Sequence, residues 1–180
     1  MVGRDTSIFM NLLDNGLRGY TDPSYGGWGG RNGPDTDPSG QSSTNRAASR
    51  WFGAAQLDFA ARLKWTVTPK HSKVNHEPTV EVTGPLNRTV ARGQSVVLNG
   101  LSHDPDGDRL TSTWWEYSDA DTYPGTVALT QTSQARRQIA KLNVPQDAVP
   151  GQTIHLILQT TDNGSPALTS YQRVVLTVKG

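Results

Sequence analysis

The run Asp104-Pro105-Asp106-Gly107-Asp108 holds the densest chemistry in the sequence. Three carboxylates at alternate positions of a tight loop can converge on a hard cation, which takes roughly six to eight oxygens at about 2.3–2.6 Å. Asp162, in a later Asp-Asn-Gly run, offers a fourth carboxylate. No Glu stands at the twelfth position, so the loop is not an EF-hand. Two readings stay open. In one, Asp104, Asp106, Asp108 and Asp162 hold calcium. In the other, the same Asp and Gly residues only shape turns and Asx caps.

Aromatic residues supply the second kind of chemistry. Trp114 and Trp115 are neighbours on a candidate strand, so they face opposite sides. Trp114 is in phase with Leu110 and is expected in the core. Trp115 and Tyr117 then share the other face. There they either form a flat platform for a sugar ring, through contact with the ring faces, or lie under the first 65 residues. Tyr25 and Trp28, set among glycines in SYGGWGGR, carry the same two readings: ligand contact, or a tight loop pinned to a core.

Nothing singles out a catalytic constellation. GxSxG, HExxH, the P-loop and GxGxxG are all absent. Absence of cysteine removes thiol nucleophiles, redox pairs and Cys-based zinc sites. His71 and His76 fall in a linker, His103 beside the Asp loop and His155 on a strand. The chain is therefore expected not to be an enzyme by itself. With 17 basic and 16 acidic residues and no basic block, it shows no footprint for nucleic acid. No apolar run is long enough for a membrane span, and any signal peptide is expected upstream of Met1.

The elements that must position these residues change character along the chain. Residues 5–19 read as a short helix capped at Asp5, Thr6 or Ser7 and stopped at Asn15-Gly16. Residues 20–50 are rich in turn formers and read as a long loop. Residues 50–65 read as a second helix, with Trp51, Ala55, Phe59 and Leu63 at every fourth position. From Thr79 the period changes to two: Val80 and Val82, Val96 and Leu98, Leu110 to Tyr117, Ile139 to Val144, Ile154 to Leu158, and Tyr171 to Val178. Abundant Gly (18) and Pro (11) separate these runs. The pattern is that of six or seven strands in an immunoglobulin-like sandwich. The expected organisation is a helix-loop-helix segment over 1–70, a linker over 71–78, and a sandwich over 79–180. The segment has few large apolar residues of its own, so it is expected to pack on one face of the sandwich.

Residues 101–115 and 152–178 resemble bacterial PKD-like and cadherin-like modules. A broader likeness covers the whole chain. DTSIFMNLLDNGL, YGGWGGR, RWFGAAQLDFAARLKW, NHEPTVEV and WWEYSDADTYPG, in this order and spacing, resemble the C-terminal half of the bacterial "cellulose-binding protein" family. The family's EGDTPSF is GRDTSIF here. The resemblance implies a mainly β, PKD/cadherin-like sandwich following a nucleoside-hydrolase-like domain, whose metal-ligating aspartate Asp5 would echo without its partners. It implies a secreted or periplasmic protein that binds a polysaccharide of plant or algal cell walls without cleaving it. The alternative it leaves is a structural module that completes the upstream hydrolase-like domain.

Overall fold

The computed structural model describes residues 10–13, 15–37, 40–43, 50–68, 70–134 and 136–180. Of the helix expected over 5–19, residues 5–9, Asp5 among them, and residue 14 lie outside them, and residues 11–13 and 15–19 form turns and bends instead of a helix. A two-residue ribbon pairs β1 (Asp35–Thr36) with β2 (Ser42–Ser43). Helix α1 spans Phe52–Val67. The strands that follow are β3 (Thr79–Val82), β4 (Asn87–Val90), β5 (Ser95–His103), β6 (Thr111–Glu116), β7 (Thr130–Gln134), β8 (Arg137–Asn143), β9 (Thr153–Thr161) and β10 (Thr169–Val178). They form two four-stranded sheets, β3-β5-β8-β7 and β4-β10-β9-β6. All pairs within them are antiparallel except β4 with β10. This is an immunoglobulin-like sandwich.

Alternation decides what lies between the sheets. β5 buries Val96, Leu98, Gly100 and Ser102 and turns the residues between them outward. From the opposite sheet Trp114, Leu156, Leu158, Val174 and Leu176 meet them. Trp114 is in the core, in the register set by its phase, and its indole N–H donates to the Gln138 carbonyl at 3.2 Å. Gly100 lies under this ring. A Cβ there would collide with the Leu158 side chain and come within 3.4 Å of the Trp114 ring. Strands β4 and β7 carry no readable alternation. β7 (TQTSQ) is a wholly exposed edge. It ties to β6 through Gln131, whose side chain accepts from the Trp114 N–H at 2.8 Å and donates to its carbonyl at 2.6 Å.

A second core forms outside the sandwich. The outer face of β6-β9-β10 carries Trp115, Ile157 and Arg173 in one row, by the register of the pairs. Leu17, Trp28, Trp51 and Ala55 pack onto this face with Tyr117, Ile157 and Tyr171. Backbone hydrogen bonds fix the contact. The N–H groups of Tyr171 and Arg173 donate to the carbonyls of Asn15 and Gly16, and that of Val175 to Leu86, so residues 15–16 continue the edge that β4 begins. Gly16 has φ +84°, and a Cβ on it would overlap the Tyr171 carbonyl. This contact needs glycine.

Helix α1 departs from the expected stripe. Trp51, Ala55, Asp58 and Ala61 are buried, whereas Phe52 and Phe59 are each 58% exposed and Val67 is 77% exposed. The reason is geometric. With 3.6 residues per turn, each step of four positions drifts by about 40°. A strict every-fourth row leaves the buried face within two turns, which puts Phe59 and Leu63 outside.

Trp114→Ala is expected to cost about 3–5 kcal/mol of folding stability, because the cavity lies between two rigid sheets. Urea denaturation followed by far-UV circular dichroism measures it. A loss below about 1 kcal/mol would mean that the site collapses around the deletion.

Candidate functional site

The outer face of β6-β9-β10 sorts the four aromatic candidates. Trp28 is 3% exposed and Tyr117 is 1% exposed. Both are core residues, which corrects their expected place in a sugar platform. The Tyr117 hydroxyl donates to Asp35 Oδ1 at 2.7 Å, and its ring meets Trp51 edge-on with 5.5 Å between centroids. Burial raises the Tyr117 hydroxyl far above the usual phenol range, with Asp35 adding to the effect. Tyr25 is half-buried, edge-on to His155 at 4.7 Å and facing Arg173 at 5.1 Å. Trp115 is half-buried and keeps a surface toward solvent.

That surface belongs to an open cleft of about 460 Å³ between α1 and the sheet, lined by Arg50, Trp51, Trp115, Gln159, Thr161 and Thr169 among others. Each position follows from the register. Thr161 pairs with Thr169 across β9 and β10, and their hydroxyls are 2.9 Å apart. Gln159 pairs with Tyr171 and with Thr113. The Arg50 guanidinium is 5.3 Å from the centroids of both the Trp115 and Tyr117 rings and within 3.5 Å and 3.6 Å of Asp119 and Asp35. Asp119 also accepts from the Thr36 N–H and hydroxyl, both at 2.9 Å. The cleft thus combines one aromatic surface, one cation and several amide and hydroxyl groups held on strands. No sequence signal pointed to Arg50, Gln159, Thr161 or Thr169, which are unremarkable until strand pairing brings them to one face.

The four aspartates lie at one end of the sandwich, on the β5–β6 and β9–β10 loops. Three of them already accept from protein donors. Asp104 Oδ1 accepts the N–H groups of Asp106 and Asp108, both at 2.9 Å. Asp162 Oδ1 accepts those of Gly164 and Leu168, and its Oδ2 accepts from Asn75 Nδ2 at 3.0 Å. Asp106 is turned toward His76. Asp104 Oδ2 is buried without a partner among the described residues. Partial desolvation and the carboxylates of Asp104, Asp162 and Asp106 raise the carboxyl of Asp108.

Residues 95–178 match the family model of the cellulose-binding protein Sde0182, C-terminal domain. The match covers a little under half of the chain. Among solved structures, the chain is similar to a nucleoside hydrolase-related protein from Saccharophagus degradans that is associated with carbohydrate metabolism. Identity is 32% and the TM-score 0.82, over 97% of this chain and 47% of that one. The chain thus spans about half the length of this relative. Weaker likenesses include three cadherin domains of mouse protocadherin PcdhgC3 (19% identity, TM-score 0.36, 57% of this chain and 33% of that one). Another is the Ig1-2 module of the Drosophila receptor tyrosine phosphatase DLAR (13% identity, TM-score 0.39, 58% of this chain and 50% of that one). No curated protein matches.

Two buried titrating groups give the folded chain a pH signature. Burial, helped by Arg173, pushes His155 down to about 3. An unfolded histidine titrates near ~6.5, so the stability from neutral His155 is full above that pH and lost as pH falls toward 3. Asp121 moves the other way, raised by burial and by neighbouring Glu116. Its contribution is full below about pH 4, where the unfolded carboxyl titrates, and is lost as pH rises through the neutral range. Urea titrations across pH should show the acid limb flattened in His155→Gln and the neutral slope flattened in Asp121→Asn. Profiles that match wild type would remove these groups from the folding linkage.

Proposed function

We propose that the chain is a non-catalytic carbohydrate-binding part of a secreted or periplasmic bacterial protein that acts on polysaccharides, and that it holds a plant or algal cell-wall glycan in the Trp115 cleft. The observation that carries this reading is the cleft itself. A partly open indole beside Arg50, Gln159, Thr161 and Thr169 offers an apolar face to a sugar ring and polar groups to its hydroxyls. The cellulose-binding name of the matched family supports it. Stacking on one aromatic is worth about 1–3 kcal/mol in nucleic-acid systems, and sugar stacking is expected to be no stronger. A single such contact implies weak binding, near the millimolar range, unless a neighbouring domain adds avidity.

A second reading is favoured by one observation. Phe52, Phe59, Leu63 and Val67 line the outward side of α1 and are all exposed. In this reading the stripe seats the chain against an upstream nucleoside-hydrolase-like domain of the same protein; the Saccharophagus relative, described as nucleoside hydrolase-related, is matched over only 47% of its length. Affinity electrophoresis against cellulose, xylan, pectin and algal glycans separates the two. Retardation on at least one glycan, reduced about tenfold in affinity by Trp115→Ala, is the expected result. No retardation, or retardation unchanged by Trp115→Ala, would reject the cleft. The structural reading would then be favoured if Phe59→Glu weakened association with the hydrolase-like half.

The reading includes calcium at the loop end, with Asp104, Asp108 and Asp162 as the main ligands and Asp106 at the rim. Its support is Asp104 Oδ2, buried without a protein donor, and the carboxyl of Asp108, raised by desolvation and then by its carboxylate neighbours. A cation bound only by the folded state raises the melting temperature in proportion to the logarithm of its concentration. Identical melting curves in EDTA and in millimolar calcium would leave the loop as turn chemistry alone.

A further inference from the structure

We propose that His71, His76 and Asp106 form a binding site for a divalent transition-metal ion, Zn2+ or Cu2+. One ligand atom from each lies within 4.8 Å of the others, and no other such trio of His, Asp and Glu is found among the described residues. The three come from two separate places. His71 opens the short turn His71–Lys73 after α1, His76 follows in the linker, and Asp106 stands at the tip of the β5–β6 loop.

The surroundings hold the histidines in a ligand-ready state. The Trp65 indole N–H donates to the Asn75 carbonyl at 2.8 Å, which fixes the linker against the end of α1. Trp65 stacks on His76 with 5.2 Å between centroids, and His71 stacks on His76 at 3.5 Å with planes 10° apart. The His76 backbone N–H donates to Asp106 Oδ2 at 2.7 Å, and its ring Nδ1 is 3.2 Å and 3.1 Å from the two carboxylate oxygens. In the tautomer that carries its proton on Nε2, His76 points the Nδ1 lone pair at the carboxylate, so a cation between the two takes both as ligands.

The donor set selects the ion. Two imidazole nitrogens and one carboxylate suit Zn2+ and Cu2+, whereas calcium prefers an all-oxygen shell. Binding requires the parallel rings to splay so that their lone pairs converge, a small rotation for His71, which is exposed. The ion would cross-link the linker to the sandwich loop and so clamp α1 in place.

The test uses the untagged chain and isothermal titration with zinc chloride and copper chloride. One equivalent of metal should bind. His71→Ala should weaken binding at least tenfold, and His103→Ala, on the nearby strand, should leave it unchanged. Histidine side-chain NMR should show zinc-induced shifts confined to the His71 and His76 rings, which reads the site without any substitution. Excess calcium should not displace the zinc. Absence of saturable binding, equal affinity in His71→Ala and wild type, shifts at other histidines, or displacement by calcium would each overturn the site.

Discussion

The guanidinium of Arg173 is fully buried on the outward face of a sheet, where a sandwich strand ordinarily meets water. A buried cation is costly unless its donors and its charge find partners. Here one terminal nitrogen donates to the Gly26 carbonyl at 3.0 Å and the other to His155 Nδ1 at 3.0 Å, while Nε has no partner among the described residues. The ring faces of Tyr25 and Tyr117 cover it at 5.1 Å and 5.2 Å. Burial pushes the group down to about 10, which leaves it charged at neutral pH. Gly26 and Tyr25 belong to the N-terminal segment. The sheet therefore cannot present this face alone, and the segment is part of the fold and not an appendage to it.

The same packing decides which aromatics remain for a ligand. Covering Arg173 and Ile157 uses Trp28, Trp51 and Tyr117, and the T-shaped contacts of Trp51 with Tyr117 and Tyr171 lock all three in place. Trp115 sits at the margin of this second core, tilted 35° against Trp51, and so reaches the cleft. On α1 the buried positions include small residues, Ala55 and Ala61, and Ala55 packs into this second core. The large apolar residues of the helix project away. A helix whose outward side is the greasier one is the reverse of ordinary surface amphipathicity, and such a face is characteristic of a contact with another surface.

The sandwich was legible where alternation was strong. β5, β6, β9 and β10 each show it, and Trp114 fell on the correct side because its phase with Leu110 allowed only one. β4 and β7 were not legible. β7 is polar throughout because it is an exposed edge, and a strand with no buried face has no pattern to show. The cleft was half legible. Trp115 could be named from its neighbour Trp114, but Gln159, Thr161 and Thr169 become a site only through cross-strand register. Asn15-Gly16, which reads as a helix stop, turned out to need its positive φ for a different reason: the backbone must approach β10 closely enough to accept two hydrogen bonds.

The loop end of the sandwich shows how carboxylates can be gathered by neutral donors. Asn75 spans Asp162 and the Pro166 carbonyl, with its amide 3.0 Å and 2.8 Å from them, and Asn163 Oδ1 accepts the Arg109 N–H at 2.7 Å. These bonds tie the linker to one loop and the two loops to each other. The carboxylates of Asp104 and Asp162 also accept backbone N–H groups of their own loops, which holds each loop in its turn.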